Sequence, residues 1–207
     1  MTHELILPLT LTEREELGED VEIRVPASFE EYLELIEDCE YNIEYFNGEI
    51  ISMGNASYYH EKLVGLIIFA LRKTLPSNCT ILGSNIKIHV EDVLGKANFN
   101  ADVSVVEGEP EFLVLPSGKT STSNILNPVV VVEVTSRSTI AHDYGDKLMA
   151  YKKIGSLKQV IFVSQYENSV TVYERQGLHT WLSTDYVSVE DSFLVLGATI
   201  QLKDIYQ

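Results

Sequence analysis

The 207-residue sequence predicts an α/β fold: a mixed β-sheet flanked by helices, with an added N-terminal helix and β-hairpin. Three observations carry this expectation. Pro128 to Val134 is an almost unbroken β-branched run, the pattern of a central strand covered on both faces. Residues 28–38 and 58–75 each repeat apolar side chains at helical spacing. Asn47-Gly48, set between two short strand-like runs, is the strongest short-range hairpin signal. Strands and helices that each carry an apolar face bury it by stacking in layers.

In chain order, residues 1–27 read as a weakly structured lead-in ending near Pro26, and residues 28–207 as one domain. Ser28 is placed to cap a helix over 28–38, with Glu30 and Glu31 in the first turn, where the helix dipole favours acids. Phe29, Tyr32, Leu33 and Ile36 form its apolar stripe. Tyr41–Phe46 and Glu49–Met53 are the hairpin strands. A long helix is expected from Tyr58 to Leu75, with Leu63, Ile67, Ala70 and Leu71 on one face and a stop at Pro76. Cys79 to Val90 reads as one long strand, and Asp102 opens a short buried strand, Val103–Val106. Residues 107–127, with Pro, Gly, Ser and Thr and no clear period, read as a long loop. Ser136-Arg137-Ser138-Thr139 breaks the valine strand, and a helix follows from Thr139 to Ile154 with Leu148, Tyr151 and Ile154 as its stripe and Gly155 at its end. Strands are expected at Gln159–Ser164, Val170–Glu174 and His179–Leu182, and Ala198–Ile205 closes the domain. There is no internal repeat or low-complexity segment.

Apolar residues make up 45% of the chain, ordinary for a globular protein, and no apolar run approaches a membrane span. Met1-Thr2-His3-Glu4-Leu5 lacks the basic region of a signal peptide, so a cytoplasmic location without a membrane partner is expected. Cys39 and Cys79 are far apart and lack zinc-site spacing, so they read as reduced thiols. The net charge of −16 works against sequence-independent nucleic-acid affinity, which comes from Lys and Arg neutralising phosphates. Acid is concentrated in the first forty residues, from Glu13 through Glu19 and Asp20 to Glu40. Lys147, Lys152, Lys153 and Lys158 make the 147–158 stretch locally basic, and a local patch can differ from the whole.

Glu133 is the residue that most needs an explanation. It ends a run of valines that must be buried, and a charge in that setting is paired, neutralised or metal-bound. Asp102, opening another apolar strand, has the same character, although a salt bridge or a strand end reaching water also accounts for it. Two carboxylates at the ends of core strands suit a hard divalent cation such as Mg²⁺ (or Mn²⁺). Asp143, Lys147 and Tyr151 follow at four-residue spacing and share a helix face. Lys147 can stabilise developing negative charge on a phosphate; it also reads as an ordinary Asp–Lys pair on a solvated face. No Gly-rich phosphate loop, Ser–His–Asp order or zinc spacing is present, so NTPase, serine hydrolase and zinc-enzyme readings are poor.

Asp102-Val103-Ser104-Val105-Val106, then Asn127-Pro128 leading to Val132-Glu133-Val134-Thr135-Ser136, then Ser138-Thr139, Asp143, Lys147 and Tyr151, together resemble the Uma-two family of bacterial proteins within the restriction-endonuclease-like PD-(D/E)XK nuclease superfamily. The resemblance extends back to Asn47-Gly48-Glu49 and His60 and forward from Leu157 to Tyr173. It implies a restriction-endonuclease-like fold and a metal-dependent DNA endonuclease, with Asp102 and Glu133 catalytic and holding Mg²⁺ or Mn²⁺, and Lys147 as the catalytic lysine. Glu49 is then a candidate extra acid, and His60 a candidate cleft residue, with an exposed hairpin acid and a helix-start polar residue as the plainer readings. Two positions depart from the superfamily motif. Ala101 stands where it has Pro, and Thr135 stands where it has Lys, so either Lys147 supplies the lysine from the next helix or the enzyme is impaired. Cutting both strands of DNA implies a homodimer by analogy. The alternative is an inactive or weak nuclease-fold protein acting as a binding or regulatory module, which the acidity of the chain favours.

Overall fold

Val130, Val131 and Val132 are shielded on both faces, as the valine run requires. The structure, a computed structural model, describes residues 7–18, 21–92, 95–137 and 139–207. The signal-peptide reading of Met1 to Leu5, the acids Glu19 and Asp20, and Ser138 of the family pattern lie outside the described residues.

The first half of the chain runs α1 (Leu11–Glu16), β1 (Ile23–Pro26), α2 (Phe29–Asp38), β2 (Ile43–Phe46), β3 (Glu49–Ser52), α3 (Tyr58–Thr74), β4 (Cys79–Gly83), β5 (Lys87–Asp92), β6 (Gly95–Phe99) and β7 (Val103–Glu107). The second half adds β8 (Phe112–Val114), β9 (Thr120–Ile125), β10 (Val130–Thr135), a helical stretch made of α4 (Ile140–His142), a π-turn (Asp143–Lys147) and α5 (Leu148–Tyr151), then β11 (Gln159–Ser164), β12 (Val170–Arg175), β13 (Trp181–Tyr186), β14 (Ser192–Val195), β15 (Ala198–Gln201) and α6 (Leu202–Ile205).

Among the described residues the strands form two main sheets, where the sequence reading expected one mixed sheet. One is ordered β1-β3-β2-β6-β5-β9-β8, the other β13-β12-β11-β10-β7-β4, and β14-β15 is a separate hairpin. Both are mixed, with β10 parallel to β11 and β5 parallel to β9. Alternation along β10 sorts its side chains. Val130, Val132 and Val134 join Leu63, Ile67 and Leu71 of α3, while Val131 joins Ile88, Phe99 and Tyr151 between the two sheets. Glu133 has the same parity as Val131, so it too points between the sheets. The register completes the placement. β7 runs antiparallel to β10 with Val103 opposite Val132, which brings Asp102 alongside the Glu133–Val134 end of β10.

Several expectations are corrected. The lead-in contains α1, held by a Thr10–Glu13 capping box, and β1, which adds to β3 at the sheet edge. Arg14, 1% exposed, donates to the carbonyls of Met53, Gly18 and Val21 and ties α1 to the rim of the cleft described below. Arg14→Ala strands those three acceptors, and urea unfolding is expected to show a loss of about 1.5–3 kcal/mol. The long strand over 79–90 is broken at Ser84-Asn85-Ile86 into β4 and β5, which belong to different sheets. The 107–127 loop carries β8 and β9 at a sheet edge. The helix expected over 139–154 ends at Tyr151 and is interrupted by the π-turn. The strand expected at His179–Leu182 lies at Trp181–Tyr186. No helix among the described residues is long and apolar enough to cross a membrane.

Candidate active site

A cleft of about 990 Å³ opens at the ends of β7 and β10 and is lined by Asp102, Glu133, Asp143, Lys147, Glu44 and His60, among others. Glu133 is buried; its Oε1 accepts from the Tyr151 hydroxyl at 2.6 Å and its Oε2 lies 3.3 Å from Lys147 Nζ. Lys147 Nζ also lies 3.4 Å from Asp143 Oδ1 and 3.1 Å from Glu44 Oε1, so its three donors meet three carboxylates. Asp102 Oδ2 accepts the Val134 backbone N–H at 2.6 Å and sits 3.2 Å from His60 Nε2. The Asp143–Lys147 spacing brings these side chains together even through the π-turn, a feature common at functional sites. Both are buried, so the solvated i,i+4 pair is not what forms.

The electrostatics show an excess of negative charge. Burial pushes the Glu133 carboxyl well above the usual range; Lys147 opposes this, and Asp143, Asp102 and Glu44 reinforce it. Asp143 is raised for the same reasons. Burial also works against the charge on Lys147, yet Glu133, Glu44, Asp143 and Asp102 together hold it well above an ordinary lysine. At Glu44 the balance is reversed: burial would raise it, but Lys147, His142 and the Asn100 N–H hold it at about 2. At His60 burial disfavours the charged ring, but Asp102 and Glu61 outweigh it and raise the pKa.

Glu49 does not line the cleft; its Oε2 lies 3.4 Å from Nη1 of Arg24, which links it to Asp146 rather than to Lys147. Glu44 and His142, not singled out in the sequence, complete the centre. His142 Nε2 lies 2.9 Å from Glu44 Oε2 and its Nδ1 lies 3.0 Å from Asp146 Oδ2. Arg24 Nη2 in turn donates to Asp146 Oδ2 at 2.8 Å. The signal for Glu44 was the one that exposed Glu133, an acid inside an apolar strand. In β2, however, alternation makes it look solvent-facing. The basic stretch does not form a free rim: Lys152 lies over Tyr173 and Trp181, Lys153 pairs with Asp92 and Lys158 with Glu107.

Among the described residues no three His, Cys, Asp or Glu side chains converge as a closed metal cage. Mg²⁺ and Mn²⁺ do not need one, because such hard ions are commonly held by one or two carboxylates with waters and substrate phosphates completing the shell. The donor set fits: Asp102 and Glu133 offer oxygen ligands in one cleft where four carboxylates share a single lysine.

The sequence matches the family model Uma2, described as "Putative restriction endonuclease", over residues 29–203. Two Synechocystis proteins are similar: uncharacterized protein sll1609 is 28% identical over 79% of this chain and 92% of its own length. Uncharacterized protein slr1290 is 31% identical over 76% of this chain and 78% of its own length. The fold is also similar to the crystal structure of "a putative nuclease belonging to DUF820" from Anabaena variabilis, with a TM-score of 0.69 and 16% identity over 87% of this chain and 98% of that one.

Proposed function

This chain belongs to the Uma2 family, and we propose that it is a metal-dependent DNA endonuclease whose reaction centre is Asp102, Glu133 and Lys147. The observation that carries this reading is the charge imbalance in the cleft: Glu44, Asp102, Glu133 and Asp143 all act on one ammonium group, and a divalent cation restores the balance. Asp102 and Glu133 would hold the ion. When bound, it supplies Lewis-acid polarisation of a phosphoryl oxygen and a lowered pKa for water. The remaining work falls to the chain's own side chains. Tyr151 fixes the Glu133 carboxylate by its 2.6 Å hydrogen bond, and His60 and the Val134 N–H fix Asp102. Lys147, held by Glu44 and Asp143, shares its charge with the phosphate oxygens as negative charge develops. His142 holds Glu44, and so Lys147, in place. Net hydrolysis adds water across one phosphorus–oxygen ester bond. Cutting both strands in one encounter would use a homodimer.

Nicking of supercoiled plasmid tests the reading. Mg²⁺ or Mn²⁺ is expected to support cleavage, a chelator to abolish it, and Asp102→Asn to slow it by at least about 10²-fold. The acidity of the chain, −16 overall, favours the other reading, a binding module on the nuclease scaffold. A native chain that is folded, binds DNA and cuts none of it with either metal would establish that alternative.

A further inference from the structure

Resting on the nuclease reading, we infer that Lys87 is a phosphate anchor: it holds a substrate phosphate in the cleft beside the acidic centre. Lys87 opens β5, is 7% exposed, and lines the same cleft as Asp102 and Glu133. Its backbone pairs with Asn124 of β9, while among the described residues its ammonium group makes neither an ion pair nor a hydrogen bond. That sets it apart from Lys147, Lys153 and Lys158, which are engaged by carboxylates, and from Lys152, which lies over aromatic rings. Burial pushes its pKa below the ordinary lysine value, and Glu44 and Cys39 oppose this without overcoming it. A desolvated ammonium group with no carboxylate at ion-pair distance is costly to keep, and an incoming anion lowers that cost.

The surroundings suit a phosphate. Asn42, Ser84, Asn85 and Asn100 line the same cleft and add uncharged polar groups beside its acids. Lys147 cannot take this role in the resting protein, because its three donors already meet three carboxylates. The two lysines therefore divide the work. Lys147 stays with the carboxylates at the reacting phosphate, and Lys87 takes a neighbouring phosphate of the same strand. This explains how so acidic a protein can hold a polyanion: positive charge is kept unpaired at one buried point rather than spread over the surface.

The experiment uses the full chain and two substitutions, Lys87→Gln and Lys87→Arg. A labelled duplex oligonucleotide is titrated in calcium and read by anisotropy across a salt series, and thermal unfolding is followed with and without inorganic phosphate. Lys87→Gln is expected to weaken DNA binding about tenfold and to reduce the slope of log K against log salt by about 1, with Lys87→Arg largely preserving both. Its Tm is expected to be no lower than that of the native chain, because the group removed is unpaired and desolvated. DNA binding by Lys87→Gln with native affinity and salt slope overturns the anchor and leaves the nuclease reading standing. If the native chain binds no DNA but phosphate raises its Tm and not that of Lys87→Gln, the anion site stands and the nuclease reading falls. Neither DNA binding nor a phosphate effect overturns both.

Discussion

Lys147→Met is expected to unfold at much lower denaturant than the native protein and to lose DNA cleavage. Among the described residues Lys147 is the one ammonium group at ion-pair distance from Glu133, Glu44 and Asp143, at 3.3, 3.1 and 3.4 Å. Removing it leaves buried carboxylates facing one another with no cation, a kind of change that costs about 3–5 kcal/mol. For a chain of this size that is a fall in Tm on the order of 10 °C. The loss has a pH signature. Without the lysine the carboxyl pKa values rise further, so the variant recovers stability as pH falls and its carboxylates take up protons. Urea unfolding at mildly acidic and mildly alkaline pH checks this, and a destabilisation independent of pH would point to lost packing instead. Cleavage is expected to fall by at least about 10²-fold, measured on protein that remains folded.

Glu133→Gln is expected to do the opposite to stability and the same to activity. Gln keeps the shape and can still pair with the Tyr151 hydroxyl, while Lys147 retains Glu44 and Asp143. The substitution removes a carboxyl group whose folded pKa is raised by burial and by its acidic neighbours. A group raised in this way contributes stability below its unfolded pKa, and that contribution is lost as pH rises through the folded value. The native protein without metal therefore weakens across that window and Glu133→Gln does not, so the Tm advantage of the variant grows with pH. Glu44 works in the other direction: held at about 2, it contributes stability above the ordinary carboxylate range and loses it as pH falls toward that value. Added Mg²⁺ is expected to close the gap by stabilising the native chain alone. Equal Tm values for the two proteins at every pH would mean that Glu133 carries no electrostatic strain.

The centre was partly legible from sequence because two of its acids violate the local pattern. Glu133 sits in a valine run and Asp102 at the mouth of another apolar strand, and burial of a charge demands a reason wherever the fold places it. Asp143, Lys147 and Tyr151 were legible through helical spacing, which survives the π-turn well enough to keep Asp143 and Lys147 in contact. Glu44 and His142 were not. Glu44 lies between Ile43 and Tyr45, and alternation there assigns it to solvent; only the packing of the second sheet and the helical stretch buries it. That packing is long-range, as the pairing of Glu44 with His142 shows. The break after Gly83, at Ser84-Asn85, carried a turn signal, but the apolar residues on either side outweighed it. β9, Thr120–Ile125, is built mostly from Thr, Ser and Asn on a partly exposed face, so hydrophobic periodicity had little to detect.

The most direct test of the account is binding of Mn²⁺, followed by the loss of its free-ion electron paramagnetic resonance signal as the chain is added. The native protein is expected to take up Mn²⁺ in competition with Mg²⁺, and both Asp102→Asn and Glu133→Gln to weaken uptake by at least about tenfold. A native chain that leaves the signal unchanged, or either variant binding as the native chain does, would contradict a cation centre at Asp102 and Glu133.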